Sequence, residues 1–233
     1  MNNKITTAID GRLKKSIVLL GDLTGKKILD VGCKAAWLEN YLNDHKTKLK
    51  EMHSFDVENY DFPKLGKKFH FAIDSVLDMK RYFGKDFDVA TFFEVIEHIP
   101  KNTELQALTN IRKTLKVGGK LYLSTPNKSL FSNALDPAWW LIGHRHYSEK
   151  ELRKMLEKVG FKIVKSEVRG GFTELIAMDT YYLFKNVFRT KRFGSNLFKD
   201  KRNSDYLDKN KKGFATLFIV AEKTKEKKNK TLP

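Results

Sequence analysis

The apolar positions of the chain form two alternating patterns, short unbroken runs and longer stretches with helical spacing. The runs are rich in Val, Ile, Leu and Phe, which is typical of strands, whereas apolar residues three and four positions apart indicate helices. The runs predict strands at residues 27–31, 49–57, 68–73, 87–93, 120–125, 161–168 and 213–222. The helical spacing predicts helices at residues 8–20, 35–42, 102–115 and 148–159.

Strands that alternate with helices in this way predict an α/β fold built on a mostly parallel sheet. The run at residues 87–93 is apolar throughout, as expected for a strand that helices cover on both faces. Ser148 and Glu151 have the spacing of a capping box at the start of a helix, and Gly160 follows its end. In sheets of this kind ligands bind at the carboxyl ends of the strands, so we looked there for a candidate site.

The turn after the first predicted strand is the centre of the candidate site. The stretch from Lys27 to Leu42 passes from an apolar strand containing Asp30, through Gly32, into helical spacing. Such a turn presents unpaired N–H groups at the head of a helix, and a ligand can approach closely where glycine has no side chain. The stretch therefore predicts a nucleotide-type pocket.

Two acids at the ends of later strands indicate which ligand this pocket takes. Asp56 lies 24 residues after Gly32, a spacing at which an acid binds two ribose hydroxyls of a nucleoside. Asp74, after the third predicted strand, is placed to accept a hydrogen bond from an adenine amino group. A dinucleotide fingerprint needs three glycines, and this turn has only Gly32. An adenosine ligand without phosphates, such as S-adenosylmethionine, fits this pattern better.

Several motifs in a fixed order resemble those of class I S-adenosylmethionine-dependent methyltransferases. They are ILDVGC, FDVATFFEVIEHI, LKVGGKLYLSTPN and HRHYSEKELRKMLEKVGF, and with the two acids they extend over about residues 12–168. The chain is similar to methyltransferases of type 11 and to the ubiquinone-biosynthesis O-methyltransferases. This resemblance implies a Rossmann-like, seven-stranded, mostly parallel sheet with helices on both faces, an antiparallel last strand and an insertion before that strand.

The resemblance also implies which residues bind the cofactor. In the family, the turn at Gly32 and the acid at Asp56 bind S-adenosylmethionine. Arg12 matches an arginine that contacts the cofactor, and Phe93 matches a residue that lines the adenosine pocket. We therefore expect a cofactor site made of Arg12, Asp30, Gly32, Cys33, Lys34, Asp56, Val57, Asp74, Ser75 and Phe93.

The turn departs from the family pattern at Lys34 and Ala36, where related proteins have glycines. A lysine at this position either pairs with the methionine carboxylate of the cofactor or crowds the pocket. The second outcome leads to the hypothesis of a binding protein that keeps the fold without the activity.

A second candidate cluster follows the strand at residues 87–93. Glu94, Glu97 and His98 lie within five residues of one another, and two carboxylates with an imidazole can hold a hard or borderline cation. The segment resembles the Glu-x-x-Glu-His metal ligands of small-RNA 2′-O-methyltransferases and of some ubiquinone-type enzymes, with His144 or His146 as a further ligand. A bound Mg²⁺ or Zn²⁺ would acidify a substrate hydroxyl. Without a metal, His98 and Glu97 are the catalytic candidates, with His98 as the base.

Composition and charge limit the other possibilities. The chain has 233 residues, of which 41% are hydrophobic, enough to bury a core, and we expect a single domain over residues 1–233. The single cysteine excludes an internal disulfide, and no apolar run approaches the ~20 residues needed to span a bilayer. The first residues lack the apolar core of a signal peptide, so we expect a cytoplasmic location. The net charge is +17, and residues 185–233 carry 15 Lys and Arg against 5 Asp and Glu. This excess indicates either an anionic partner or a solvated lysine-rich surface.

Two predicted insertions and a tail bear on the substrate. Residues 127–147 form a substrate-side insertion, residues 171–212 a second insertion or lid, and residues 223–233 a basic tail that we expect to be flexible. The first contains Leu130, Phe131, Trp139, Trp140 and Leu141, and the second contains Tyr181, Tyr182, Phe184 and Phe188 before a basic stretch. Aromatic residues beside Lys and Arg suit an anionic membrane surface or a nucleic acid, whereas a buried lid helix explains the aromatic residues equally well.

Three hypotheses follow for the function. The first is O-methylation of a small-molecule or lipid-linked acceptor, with peripheral contact to an anionic membrane. The second is an RNA methyltransferase, and the third is a non-catalytic, methyltransferase-like binding protein.

Overall fold

A computed structural model of the chain describes residues 11–129, 132, 143–174, 176 and 199–225. Its strands are β1 (Lys27–Val31), β2 (Glu51–Asp56), β3 (Phe69–Ile73), β4 (Phe87–Phe93), β5 (Leu115–Pro126), β6 (Phe161–Arg169) and β7 (Thr216–Lys223). Its helices are α1 (Gly11–Leu20), α2 (Trp37–Asp44), α3 (Glu104–Thr114), α4 (Glu149–Lys158) and α5 (Lys199–Leu207), with a single 3₁₀ turn at Lys80–Tyr82.

The strands form one seven-stranded sheet in the order β3-β2-β1-β4-β5-β7-β6. β1 to β5 pair in parallel, and β7 is antiparallel to both β5 and β6, between which it lies. This confirms the predicted Rossmann-like α/β fold, including its antiparallel last strand. Chain order reverses beside β1, so the carboxyl ends of β1 and β4 flank the crevice where ligands of such sheets bind.

Helices cover both faces of the sheet because side chains alternate along each strand. Leu29 and Val31 of β1 belong to the larger core cluster, which contains Leu108 of α3 and Leu152 of α4. Ile28, the neighbour of Leu29, faces the opposite side and packs in a second cluster with residues of α1 and α2. The apolar runs of β1 and β4 therefore mark strands that are buried on both faces.

Most predicted boundaries agree with the structure, and the largest correction is at β5. The sequence predicted a helix to residue 115 and a strand from residue 120, whereas β5 already begins at Leu115. Leu115 pairs with Phe87, and the register then shifts before Val89 pairs with Lys120. Gly118, with φ of 79°, lies within this irregular stretch, so the glycines interrupt the strand and do not end the helix.

The capping box of α4 is present as predicted. The Ser148 hydroxyl accepts a hydrogen bond from the backbone N–H of Glu151 at 3.2 Å, and the Glu151 carboxylate accepts one from the Ser148 N–H at 2.8 Å. These bonds satisfy two of the orphan donors at the helix start. They fix the end of the segment that carries His144 and His146.

Helix α5, which lies within the predicted second insertion, packs against α1. The Asn203 side chain accepts a hydrogen bond from the Gly11 N–H at 2.8 Å, and buried Tyr206 lies 3.0 Å from the Thr216 hydroxyl. α5 therefore supports the first turn of α1, next to Arg12. The large apolar residues at positions 130–131 and 139–141 and the aromatic residues at positions 181–188 lie outside the described residues. The tail from residue 226 also lies outside them.

None of the helices in the described part of the chain combines the length and the apolar character needed to cross a bilayer.

Candidate cofactor site

A cavity of about 490 Å³ lies at the carboxyl ends of β1, β2 and β4, where the sequence predicted a ligand site. This volume is typical of a small-molecule pocket. Six of the predicted cofactor residues line it, namely Gly32, Lys34, Asp56, Val57, Asp74 and Ser75. Glu94 and His98 of the second predicted cluster line the same cavity. The two clusters found in the sequence therefore border one space.

Gly32 has a positive φ of 80°, and its N–H donates to the Phe55 carbonyl at 2.9 Å. A Cβ at this position would lie 2.4 Å from Cγ2 of Val95. The sequence predicted that the glycine makes room for a ligand. The structure gives a further reason for glycine at this position, because the Val95 side chain leaves no space for a Cβ.

Lys34 and Ala36 keep the left-handed backbone expected of the family's glycines, with φ of 48° and 57°. Such a conformation costs a non-glycine residue about 1–2 kcal/mol. α2 begins only at Trp37 because Ala36 is left-handed. The Lys34 side chain is exposed and the cavity remains open beside it, so the departure from glycine does not fill the pocket.

Asp56 is fixed by the backbone around it. Its Oδ2 accepts the N–H of Lys34 at 2.9 Å, and its Oδ1 accepts the N–H of Glu58 at 3.2 Å. Each carboxylate oxygen has a second acceptor position, so both remain able to accept a hydrogen bond from a ligand in the cavity. The turn after β1 therefore orients the acid at the end of β2.

Asp74, which follows β3, is held in a comparable way. Its Oδ1 accepts the N–H of Ser75 at 2.8 Å, and Nε of Arg81 lies 2.8 Å from Oδ2. Arg81 was not predicted as part of the site. It lies in the short 3₁₀ turn after β3, where the sequence has no periodic pattern that indicates its direction.

Four predicted cofactor residues are not among those that line the cavity, and one of them, Arg12, is described with Glu94 below. Asp30 is buried beneath the turn beside Thr91, and burial raises the pKa of its carboxyl to about 6. Cys33 is also buried, and burial raises the pKa of its thiol, which fits a turn residue without reactivity. Phe93 packs against Trp37 in the core cluster of the α1 and α2 face, with ring centroids 6.3 Å apart.

Arg12 and Glu94 meet at the edge of the cavity. Nη1 of Arg12 lies 2.6 Å from Oε2 of Glu94, and the Ser124 hydroxyl donates to the other oxygen at 2.6 Å. Glu94 has a positive φ of 57°, a strained conformation of the kind that clusters at functional sites. Arg12, predicted to contact the cofactor, therefore reaches the cavity as the ion-pair partner of Glu94.

Glu97, His98 and His144 form a compact group whose ligating atoms all lie within 4.8 Å of one another. The Nε2 atoms of the two histidines are 3.1 Å apart. Glu97 is buried, the Thr125 hydroxyl donates to its Oε2 at 3.0 Å, and its Oε1 has no hydrogen-bond partner among the described residues. Of the predicted metal ligands, Glu94 and His146 lie outside this group.

The pKa shifts of His98 and Glu97 favour the neutral form of both side chains. Desolvation, with the neighbouring charges of His144 and Lys34, lowers the pKa of His98 to about 4. Burial, followed by repulsion from Glu94, raises the pKa of Glu97. At neutral pH His98 therefore has a nitrogen lone pair available for a proton or a cation.

Arg145, between the two later histidines, holds their segment against the site. It donates to the carbonyl of Glu97 at 3.2 Å and to that of Ile96 at 2.9 Å, and it pairs with Glu104 of α3. An isolated bridge between Asn127 and Tyr147 returns the segment to the end of β5. Sequence reasoning missed Arg145, although its position between His144 and His146 was a usable signal.

A family profile described as a methyltransferase domain matches residues 6–166, more than half of the chain. The chain belongs to the class I S-adenosylmethionine-dependent methyltransferases. The cavity, the turn at Gly32 and the carboxylate of Asp56 lie where the family resemblance predicts the cofactor.

Curated relatives of this methyltransferase domain are named ubiquinone biosynthesis O-methyltransferases. The protein from Idiomarina loihiensis is 29% identical over 128 residues, which cover 52% of this chain and 48% of the relative. The mitochondrial protein from Homo sapiens is 33% identical over 127 residues, which cover 48% and 32%. The chain thus spans about half, or less, of the length of these relatives.

Among solved structures, an S-adenosylmethionine-dependent methyltransferase from Archaeoglobus fulgidus has a TM-score of 0.61 at 19% identity, covering 91% of this chain and 93% of the other. At this identity the likeness shows the fold alone.

The residues of the cavity fit S-adenosylmethionine. The cavity has room for a nucleoside, and Asp56 offers two fixed acceptor oxygens for a pair of hydroxyls. The exposed Lys34 provides a cation at the edge of the same space.

Proposed function

We propose that this protein transfers a methyl group from S-adenosylmethionine to a hydroxyl oxygen of a small-molecule or lipid-linked acceptor. The observation that carries the proposal is one cavity bordered on one side by the backbone-held carboxylate of Asp56 and on the other by His98. The names of the curated relatives support an oxygen acceptor.

In this proposal each side of the cavity has one task. Asp56 binds the two ribose hydroxyls, Asp74 and Ser75 lie beside the adenine, and Lys34 pairs with the methionine carboxylate. S-Adenosylmethionine supplies a methyl group that is already activated on a sulfonium. The protein therefore has to align the acceptor oxygen with this group, exclude water and remove one proton.

The acceptor proton leaves toward the histidine side of the cavity. As the new O–CH₃ bond forms and the S–CH₃ bond breaks, the acceptor hydroxyl releases its proton to the pair formed by His98 and His144. One carboxyl oxygen of Glu97 has no hydrogen-bond partner among the described residues, and it accepts a hydrogen bond from the imidazolium that results. His98 is the catalytic base in this scheme.

The donor set of Glu97, His98 and His144 also fits a divalent cation, because one carboxylate and two imidazoles converge and the buried Oε1 of Glu97 lacks a partner among the described residues. Mg²⁺ or Zn²⁺ held by these three residues would lower the pKa of the acceptor hydroxyl and so reduce the demand on His98 as a base. Methyl transfer measured with and without a chelator separates these two modes.

Calorimetry with S-adenosylhomocysteine tests the cofactor site. We expect micromolar binding by the unchanged protein and a loss of at least about a hundredfold in Asp56→Ala, because two hydrogen bonds to a charged acceptor disappear. Asp61→Ala is the matched control, since Asp61 is an exposed acid of the same segment outside the cavity lining, and it should bind normally. Absence of binding by the unchanged protein would favour the non-catalytic hypothesis.

The acceptor class is tested by methyl transfer to phenolic lipids presented in anionic vesicles, compared with transfer to RNA. The net charge of +17 is compatible with both acceptors. Transfer to the phenolic hydroxyl supports the proposal. Transfer to RNA alone, with the steep salt dependence of phosphate contacts, would replace it by the RNA hypothesis.

A further inference from the structure

Three metal-ligating side chains lie together on β2 and β3, outside the cofactor cavity. Glu51 and His53 are two residues apart on β2 and therefore project from the same face of the sheet. His70 of β3 is the register partner of His53. The ligating atoms of the three side chains all lie within 4.8 Å of one another. Asp56 is five residues further along β2 than Glu51, a distance of about 17 Å at the rise of a strand.

The distances within this group are close to those of a metal site. Nε2 of His53 lies 3.3 Å from Oε2 of Glu51, and Nε2 of His70 lies 4.0 Å from the same oxygen. Ligand atoms in a tetrahedral zinc site, at about 2.0–2.1 Å from the metal, are about 3.3–3.5 Å apart. The first pair already has this separation. The His70 side chain is 48% exposed and has room to move closer by the remaining distance of roughly half an ångström.

The surroundings of the group hold two of its members in place. The His53 ring packs edge-on against Phe87, with centroids 5.5 Å apart, and stacks with the His70 ring at 4.6 Å. Lys27 of β1 lies 2.9 Å from Oε1 of Glu51, which directs the other oxygen toward the imidazoles. A polar partner that orients the ligating carboxylate in this way is typical of the outer shell of metal sites.

We propose that Glu51, His53 and His70 bind a transition-metal ion, with Zn²⁺ as the preferred ion, and thereby link the edge strand β3 to β2. Imidazole and carboxylate are ligands that suit Zn²⁺, and the exposed side of His70 leaves a fourth position to water. This site is separate from the cluster of Glu97, His98 and His144 and does not depend on the proposed function.

The experiment uses the full chain carrying His98→Ala and His144→Ala, so that the other histidine cluster no longer binds metal. Co²⁺ is the probe because its visible absorption reports tetrahedral coordination. We expect one equivalent of Co²⁺ to bind with a tetrahedral spectrum, Zn²⁺ to displace it, and Zn²⁺ to raise the melting temperature, since a ligand that binds only the folded state stabilises it.

Adding His53→Ala or His70→Ala to this background should lower the Co²⁺ affinity about tenfold or more. His45→Ala is the matched control, since His45 stacks on Tyr41 of α2 and lies outside the group, and it should leave the affinity unchanged. His70→Ala removes a largely exposed side chain, so its fold, checked by circular dichroism, should be retained. Absence of Co²⁺ binding in the background variant, or equal binding after removal of His70, would overturn the proposal.

Discussion

The two sides of the cavity are built in different ways. On the side of β1, β2 and β3, Asp56 and Asp74 accept hydrogen bonds from backbone N–H groups, and one of these donors is the next residue in the chain. On the side of β4 and β5, Glu94 and Glu97 are held by side chains from Arg12, Ser124 and Thr125. Backbone N–H groups therefore orient the first pair of acids, with one added side-chain contact from Arg81 to Asp74, whereas long-range side-chain contacts orient the second pair.

This difference has a physical consequence for sensitivity to mutation. A backbone N–H is present whatever the side chain, so the orientation of Asp56 should survive most substitutions around it. A carboxylate held by distant side chains loses its orientation when any one of them is removed. The side of β4 and β5 should thus be the more fragile of the two, although it carries the proposed proton acceptor.

The largest effect on folding should come from breaking the ion pair of Arg12 and Glu94. Replacing either residue with Ala leaves a partly buried charge without its partner, because the two side chains are only 32% and 18% exposed. We expect a loss of about 1–3 kcal/mol in the free energy of unfolding for each single change, measured by urea denaturation. The double change should cost less than the sum of the two.

The control for this pair is the exposed helical pair of Arg153 and Glu149, whose side chains are 41% and 46% exposed. Arg153→Ala should change the stability by no more than about 0.5 kcal/mol. Equal losses for Arg12→Ala and Arg153→Ala would contradict the view that the cavity side of β4 depends on its ion pair.

An intermediate effect should come from the buried acids beneath the turn. Glu39 of α2 is fully buried near Asp30, and burial together with the charge of Asp30 raises the pKa of Glu39, while burial raises that of Asp30 to about 6. A raised pKa means that the folded state binds protons that the unfolded state releases, so this part of the stability is present at low pH and is lost as the pH rises.

Glu39→Gln removes one of these charges at nearly constant volume, and its amide can donate to Asp30. We expect it to stabilise the protein by about 1–3 kcal/mol at pH 8 and by much less at pH 4. Thermal unfolding across this pH range measures the difference. A gain that is independent of pH would show that the acid pair does not titrate in the folded protein.

The smallest effect should come from the strained residues of the turn. Lys34→Gly relieves a positive φ and should stabilise the protein by up to about 1 kcal/mol. Lys46→Gly is the matched control, because Lys46 has a similar φ of 51° outside the cavity lining. Both changes should raise the stability alike, whereas only Lys34→Gly should weaken binding of S-adenosylhomocysteine. Equal binding by both variants would remove Lys34 from the cofactor site.

The contrast between the two sides also explains what the sequence predicted well. The apolar pattern of a strand shows where the strand ends. The sequence therefore predicted correctly that Asp56 and Asp74, at the ends of two strands, line the cavity. Phe93 is also at a strand end, but it faces α2 because alternate residues face opposite sides, and no pattern distinguishes the two faces of a strand buried on both.

On the side of β4 and β5, the contacts that hold the cavity residues join positions far apart in the chain. Arg12 and Glu94 are separated by 82 residues, and Arg145 reaches the carbonyl of Ile96 over 49 residues. Periodicity reports only on neighbours within a few residues. The position after a strand identified Glu97 and His98 as candidates and the family resemblance added His144 or His146, but neither showed that Arg12 would pair with Glu94. That arrangement depends on how α1 and the segment before α4 pack on the sheet.

The position of β7 between β5 and β6 has a consequence for synthesis on the ribosome. β5 and β6 are made first, yet neither pairs with the other, because β7 occupies the place between them. A nascent chain that has not yet released Thr216–Lys223 therefore exposes one edge of β5 and leaves β6 without a neighbouring strand, and such open edges invite pairing with other chains. Chaperone contact during translation should concentrate on this interval.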